Sequence, residues 1–187
     1  REPCYRGRAA PAVLVPETPR IPVPDTFELH DAARLAASSI LARLDIERLE
    51  ITATAFGIAA AAVADAWQYS QEREQFGRKI CAHQAVRNML VEARTKLEAC
   101  RHMLYHGAWL ATEGRDCSVE SSMAKLFVGD TAVEILLTCQ RVMGAYGCAR
   151  DYDMERYVRD IVCMPIVGGS SHMQMNNIAN RLGLPVK

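Results

Sequence analysis

Between residues 44 and 72 the apolar side chains recur at alternating spacings of three and four: Ile46, Leu49, Ala53, Phe56, Ala60, Val63 and Trp67. Such spacing lays one stripe along an α-helix, because 3.6 residues complete a turn. The pattern returns twice. Residues 84–112 place Val86, Met89, Leu90, Ala93, Leu97, Cys100 and Leu104 on one face, and Gly114 stops the run. Ser118 suits a helix N-cap, and the helix it opens reaches about Met143, with Met123, Leu126, Phe127, Val133, Leu136 and Leu137 as apolar positions. The Gly77 turn separates the first long helix from the second, and Gly144 and Gly147 break the third. Shorter helices are expected at 152–161, ending near Pro165, and from Ser170 or Ser171 to about Leu182, after the Gly168-Gly169 loop. No stretch alternates convincingly with period two. Three long helices with short joins, completed by two short ones, predict an all-α, up-down four-helix-type bundle.

The segment before this bundle differs in kind. Residues 1–25 hold six of the eight prolines, which remove backbone donors and bias their predecessors to extended conformations. They are expected to form an arm or linker. Asp25 or Thr26 is a cap for a short leading helix over 26–43, and residues 44–187 form the main domain. The chain opens on Arg1, so its natural start is expected to be missing or trimmed.

Composition narrows the function classes. Lys plus Arg equals Asp plus Glu at 22 each, which argues against a nucleic-acid binder, an acidic tail and a polybasic membrane arm. Half the residues are hydrophobic but only 6% are aromatic, so the core must be largely aliphatic. The seven cysteines are scattered without a CxxC pair, which fits reduced thiols in a cytoplasmic protein and not a disulfide framework or zinc site. His102 and His106 have helical metal spacing but lack an intervening Glu and a third ligand, so no metal site is expected. The apolar tract around 55–64 is mostly alanine and too short to span a bilayer.

Five linear motifs go further than periodicity. They are Glu72-Arg73-Glu74-Gln75-Phe76-Gly77, Met123-Ala124-Lys125-Leu126-Phe127, Gly144-Ala145-Tyr146-Gly147, Glu155-Arg156-Tyr157-Val158-Arg159-Asp160 and Gly168-Gly169-Ser170-Ser171. In this order and spacing they resemble the C-terminal helical domain of the acyl-CoA dehydrogenase family, from about Leu44 to the C-terminus. The resemblance implies FAD held at a dimer or tetramer interface, with one subunit reaching the flavin of its neighbour. It assigns Arg73, Gln75 and Phe76 to the pyrophosphate and adenosine part. A guanidinium forking onto phosphate oxygens beside an aromatic cover suits that ligand. Gly144 opens a turn where backbone passes close to the nucleotide. The family often carries glutamine three residues earlier, where this chain has Arg141 preceded by Gln140, so both are candidates for the adenosine contact.

The departure with most consequence is Gly168, which stands where many members carry the catalytic glutamate. The isovaleryl and long-chain types instead have Gly or Ala there and carry the base on the first long helix. Leu44-Asp45-Ile46-Glu47-Arg48-Leu49, with Gly57 at the matching distance, resembles that arrangement. The resemblance therefore points to Glu47 as the base and to Arg48 and a backbone N–H of the Gly168 region on the substrate side. Removal of a proton α to a thioester needs a positioned carboxylate, and the carbonyl must be polarised by hydrogen bonds. A plain surface carboxylate in a first helical turn is the other reading of Glu47. Ser170 and His172 are the flavin-side candidates after the loop glycines.

The implied activity is α,β-desaturation of an acyl-CoA or acyl-carrier-protein thioester, with hydride passing from Cβ to flavin N5. Complete members are about twice as long and add an N-terminal helical domain and a β domain. This chain is therefore expected to work only with those parts or a partner subunit. Two other readings of the same motifs stay open: a non-catalytic helical oligomerisation module, and a related flavin oxidase or monooxygenase.

Overall fold

A computed structural model describes the backbone of residues 29–185, with side chains from residue 43. The proline-rich arm over 1–25 lies outside the described residues. The elements are α1 (Leu29–Glu72), β1 (Glu74–Gln75), β2 (Arg78–Lys79), α2 (Gln84–Thr112), α3 (Ser118–Met143), α4 (Met154–Ile161) and α5 (Ser171–Arg181). The expected short leading helix and the first long helix are one element. No Gly or Pro interrupts the chain from Leu29 to Phe56, so nothing forces a break. At 1.5 Å per residue the 44 residues of α1 extend about 66 Å.

Between α1 and α2 the chain makes a two-residue hairpin, pairing Glu74 with Lys79 and Gln75 with Arg78. Phe76 and Gly77 form its turn with φ of 52° and 76°, the positive values a tight hairpin of this twist requires. Two pairs are too few to leave a period-two pattern, so only the Gly77 turn was legible beforehand.

α3 is the centre, packing against α1, α2, α4 and α5. The main core joins Ala55, Ala59, Ala62, Val63 and Ala66 of α1 to Leu90, Ala93, Leu97 and Cys100 of α2. Val128, Ala132, Ile135, Leu136, Cys139 and Val142 of α3 complete it, with Met154 and Ile161 of α4. A smaller cluster of Leu49, Leu104, Leu110 and Cys117 closes the end near the α2–α3 join.

Two expected stripes are offset from the observed ones. On α1 the alanines at 55, 59, 62 and 66 are buried, whereas Ala53, Phe56 and Ala60 are half-buried and Trp67 is exposed. On α3 the expected Leu136 is buried, but Met123, Leu126 and Val133 are half-buried, and Phe127 and Leu137 are exposed. The buried face is instead Ser121, Ser122, Ala124, Val128, Gly129 and Ala132, together with Lys125. Small side chains win these positions because helices touching on several sides leave no volume for large ones.

From Arg43 to Glu72, α1 is long and apolar enough to cross a membrane by length and composition, a longer window than the alanine tract alone. In this fold that apolarity faces the bundle core through the buried alanines.

Burial pushes the Cys100 thiol up to about 11 and the Cys139 thiol up to about 12, from an ordinary 9.0. An acid whose value is raised by folding stabilises the fold below its unfolded value and loses that contribution as pH climbs to the folded one. Stability to urea is therefore expected to decline between about pH 9 and 11, and the decline should be smaller in Cys100→Ala/Cys139→Ala. An equal decline in both proteins would contradict this.

Candidate functional site

The motif residues gather at two places near opposite ends of the described bundle. At the first, the end of α1 meets the turn that follows α3. The Arg73 guanidinium lies over the Tyr146 ring, 5.3 Å from its centroid. Tyr69, Tyr146 and Tyr152 pack edge-on or tilted with centroids 5.8–6.1 Å apart. With Glu72 and Arg73 they line an open cleft of about 230 Å³. Burial raises the Tyr69 hydroxyl above its ordinary value. Arg73 makes no ion pair with a carboxylate among the described residues, so its charge is free to meet an anion.

The turn itself is braced from α3. Gln140 donates to the Gly147 carbonyl at 3.2 Å and lies 3.5 Å from Cys148 Sγ, so its amide nitrogen is spent inside the chain. A Cβ on Gly147 would stand 2.7 Å from the Gln140 carbonyl oxygen. Gly144 has φ 60° and open space where a Cβ would project, leaving its backbone accessible from outside. Arg141 is exposed and lines a separate groove with Glu92, Lys96, Glu134 and Leu137, away from Arg73.

Gln75 and Phe76 sit on the hairpin tip. Phe76 is 92% exposed, with its ring edge-on to the His83 ring at 6.1 Å between centroids. The Gln75 carbonyl and Arg78 fix that ring: His83 Nε2 must donate to Gln75 O at 3.2 Å, leaving Nδ1 to accept from Arg78 at 3.1 Å. The hairpin thus presents Phe76 to something outside the chain.

The second place is where the loop after α4 meets α1. Gly168 and Gly169 have φ of 64° and 91°. A Cβ on Gly168 would overlap Ile51 Cδ1 of α1. Ile51 lies one turn beyond Glu47, whose side chain is exposed. Arg48 is largely buried and paired with Asp45. Asp45 in turn accepts from Ser118 Oγ at 2.7 Å and Ser121 Oγ at 3.4 Å, tying this turn of α1 to the start of α3. Arg48 is therefore committed within the chain. Ser170 is the N-cap residue of α5, yet its hydroxyl makes no capping bond, and His172 is exposed in the first turn.

The loop is clamped from α3. Lys125, 1% exposed, donates to the Met164 carbonyl at 2.8 Å, and burial lowers its ammonium below the ordinary lysine value. Gly129 faces the backbone at Met164 and Pro165, where a Cβ would make ordinary contact at 3.6 Å. Asp130 accepts from Ser171 Oγ at 2.8 Å.

A sequence model described as "Acyl-CoA dehydrogenase, C-terminal domain" matches residues 37–183. The chain belongs to the acyl-CoA dehydrogenase family. The acyl-CoA dehydrogenase of Bacillus subtilis (strain 168) is 41% identical over 134 residues, covering 72% of this chain and 35% of that protein. Butyryl-CoA dehydrogenase from Megasphaera elsdenii superposes with a TM-score of 0.74 at 32% identity, over 77% of this chain and 38% of the other. PigA, solved with FAD and proline, gives a TM-score of 0.72 at 27% identity, over 75% and 37%. The chain spans little more than a third of the length of these relatives.

Within the family frame, the structure brings Arg73, Tyr146 and Gly144 together at one end and Glu47, Gly168, Ser170 and His172 towards the other. Asp45, Lys125 and Gln174 were not singled out from sequence. Asp45 and Lys125 stood inside quoted motifs, and a charged residue amid small buried ones was the available signal.

Gly168→Ala is expected to destabilise the bundle by about 1–2 kcal/mol from the left-handed backbone alone, with more from the Ile51 overlap. Adding Ile51→Ala should recover only the overlap part. Additive losses in chemical unfolding of the three variants would refute the contact.

Proposed function

We propose that this chain is the C-terminal domain of an FAD-dependent acyl-thioester dehydrogenase that desaturates its substrate between Cα and Cβ, with Glu47 as the base. The observation that carries the reading is the packing of Gly168 onto Ile51. The loop position where many relatives hold a glutamate has a left-handed backbone that disfavours a side chain, and a Cβ there would displace the tip of Ile51. A carboxylate for this site must come from elsewhere, and Glu47 stands one turn away on the helix against which the loop packs.

In this reading Glu47 takes the α-proton of the thioester. The unpaired N–H groups of the Gly168 loop donate to the thioester carbonyl as charge develops there. Asp45 and the α3 serines hold the helical turn that bears Glu47, and Arg48 is fixed on Asp45. Bound FAD supplies the acceptor for the β-hydrogen, which leaves with its electron pair and completes a two-electron oxidation to the enoyl thioester.

The residues at the other end suit the remote part of a flavin dinucleotide. Arg73 is a guanidinium without a carboxylate partner, set on an aromatic face beside a cleft and an accessible glycine backbone. That set fits a diphosphate flanked by a planar base. Glu47 and Glu72 lie roughly 38 Å apart along α1, too far for one chain to serve both ends of one site. Arg73, Phe76 and Gly144 therefore reach the flavin of a second subunit in a dimer or tetramer. The acyl group arrives on CoA or a carrier protein, and domains equivalent to the rest of the relatives complete the pocket.

In the holoenzyme, Glu47→Gln should lower turnover on the order of a thousandfold, with FAD content and thioester affinity retained. Normal turnover would remove Glu47 as base. Arg73→Met should weaken FAD binding by about tenfold, read from flavin fluorescence on dilution. Unchanged retention would exclude it as a diphosphate ligand. A wild type that takes up no FAD with its companion domains present would instead fit a non-catalytic oligomerisation module.

A further inference from the structure

We propose that Gln174 is a positioning residue that aims the backbone N–H groups of Gly169 and Ser170 at the thioester carbonyl. The inference rests on the reading of this loop as the carbonyl-binding element. Gln174 lies one turn into α5 and is 1% exposed. Its Nε2 donates to two successive carbonyls, Gly168 O at 3.1 Å and Gly169 O at 2.9 Å. The described chain contains no cis peptide, and a trans peptide sets its N–H opposite its C=O. With both carbonyls drawn in to Gln174, the N–H groups of Gly169 and Ser170 turn to the other side of the loop.

Those donors are free. The N–H groups of Gly168, Gly169 and Ser170 meet no acceptor among the described residues. The left-handed conformations at Gly168 and Gly169 curve the run, and successive N–H groups in such a turn form a concavity that suits developing negative charge.

The amide shows what it is selected for. Gln174 Oε1 is buried without a hydrogen-bond partner. Turning the amide over would set Oε1 against the two carbonyl oxygens, so both bonds would become repulsions. The side chain thus holds the loop carbonyls while leaving its own acceptor unmatched, an arrangement a plain packing residue would not need. Gly169 is matched to it, because a Cβ there would lie 2.8 Å from Gln174 Nε2.

The test compares an acyl-CoA thioester with its thioether analogue, in which CH2 replaces the carbonyl, for binding to the FAD-loaded holoenzyme. Gln174→Met is expected to lower the preference for thioester over thioether by about tenfold. Thioether affinity and FAD content should stay unchanged. Equal weakening of both ligands, or an unchanged preference, overturns the role. Gln174→Glu provides a second measurement. Its carboxyl, buried against two carbonyl oxygens, titrates above the ordinary carboxylate range and has a proton to donate only while neutral, so the thioester preference should fall relative to wild type as pH rises through that titration. A flat difference counts against the proposal. If wild type itself shows no preference for the thioester, the reading of the loop as carbonyl site fails, and this inference with it. If wild type keeps the preference and Gln174→Met does too, only Gln174 is excluded.

Discussion

The burial of α3 on nearly every side is the constraint from which the remaining packing follows. A helix touched by α1, α2, α4 and α5 must offer small residues wherever two neighbours converge. Ser121, Ser122, Ala124, Gly129 and Ala132 fill that role. Close approach then exposes backbone and polar groups to one another, and each needs a partner. Ser118 and Ser121 take Asp45 of α1, Lys125 takes the Met164 carbonyl, and Asp130 takes Ser171. The polar contacts that shape the loop and the Glu47 turn are therefore consequences of a central helix too crowded for large apolar side chains.

This explains what could be read from the sequence. The boundaries of α2 and α3 were legible because glycines and turn residues punctuate them sharply. The faces were less so. Apolar periodicity ranks Phe127 and Trp67 above alanine or serine, whereas packing volume at a crowded contact ranks them the other way. The continuity of α1 was hidden because residues 41–44 lack a clear stripe, although no breaker stands there. The two site clusters were legible as motifs, since their residues are fixed by chemistry and lie in short runs. Gln174 was not, because its role depends on two carbonyls that only the folded loop turns towards it.

Gly168 shows how one position ties sequence departure to geometry. Its left-handed φ favours glycine, and a Cβ there would push the tip of Ile51 aside. A glutamate there would need a strained or altered backbone and a shifted Ile51 side chain. Glycine thus accords with both the loop backbone and the α1–loop contact. Under the proposed function, α1 compensates by bringing Glu47 to the same contact.

The length of α1 then couples activity to assembly. Under the proposed function, the base near the middle of α1 and the diphosphate-binding arginine just past its end stand too far apart to meet on a single cofactor. In that reading a second copy, set so that its Arg73 end meets the first copy's Glu47 end, completes each site. Phe76 at the hairpin tip and Tyr146 beside Arg73 are exposed in the single chain, as a ligand held by that neighbour would require. Exposed aromatics at this end are then a requirement of the site and not a flaw in the packing. Loosening the subunit contact would cost flavin before it cost the bundle, since the core formed by α1, α2 and α3 closes within one chain.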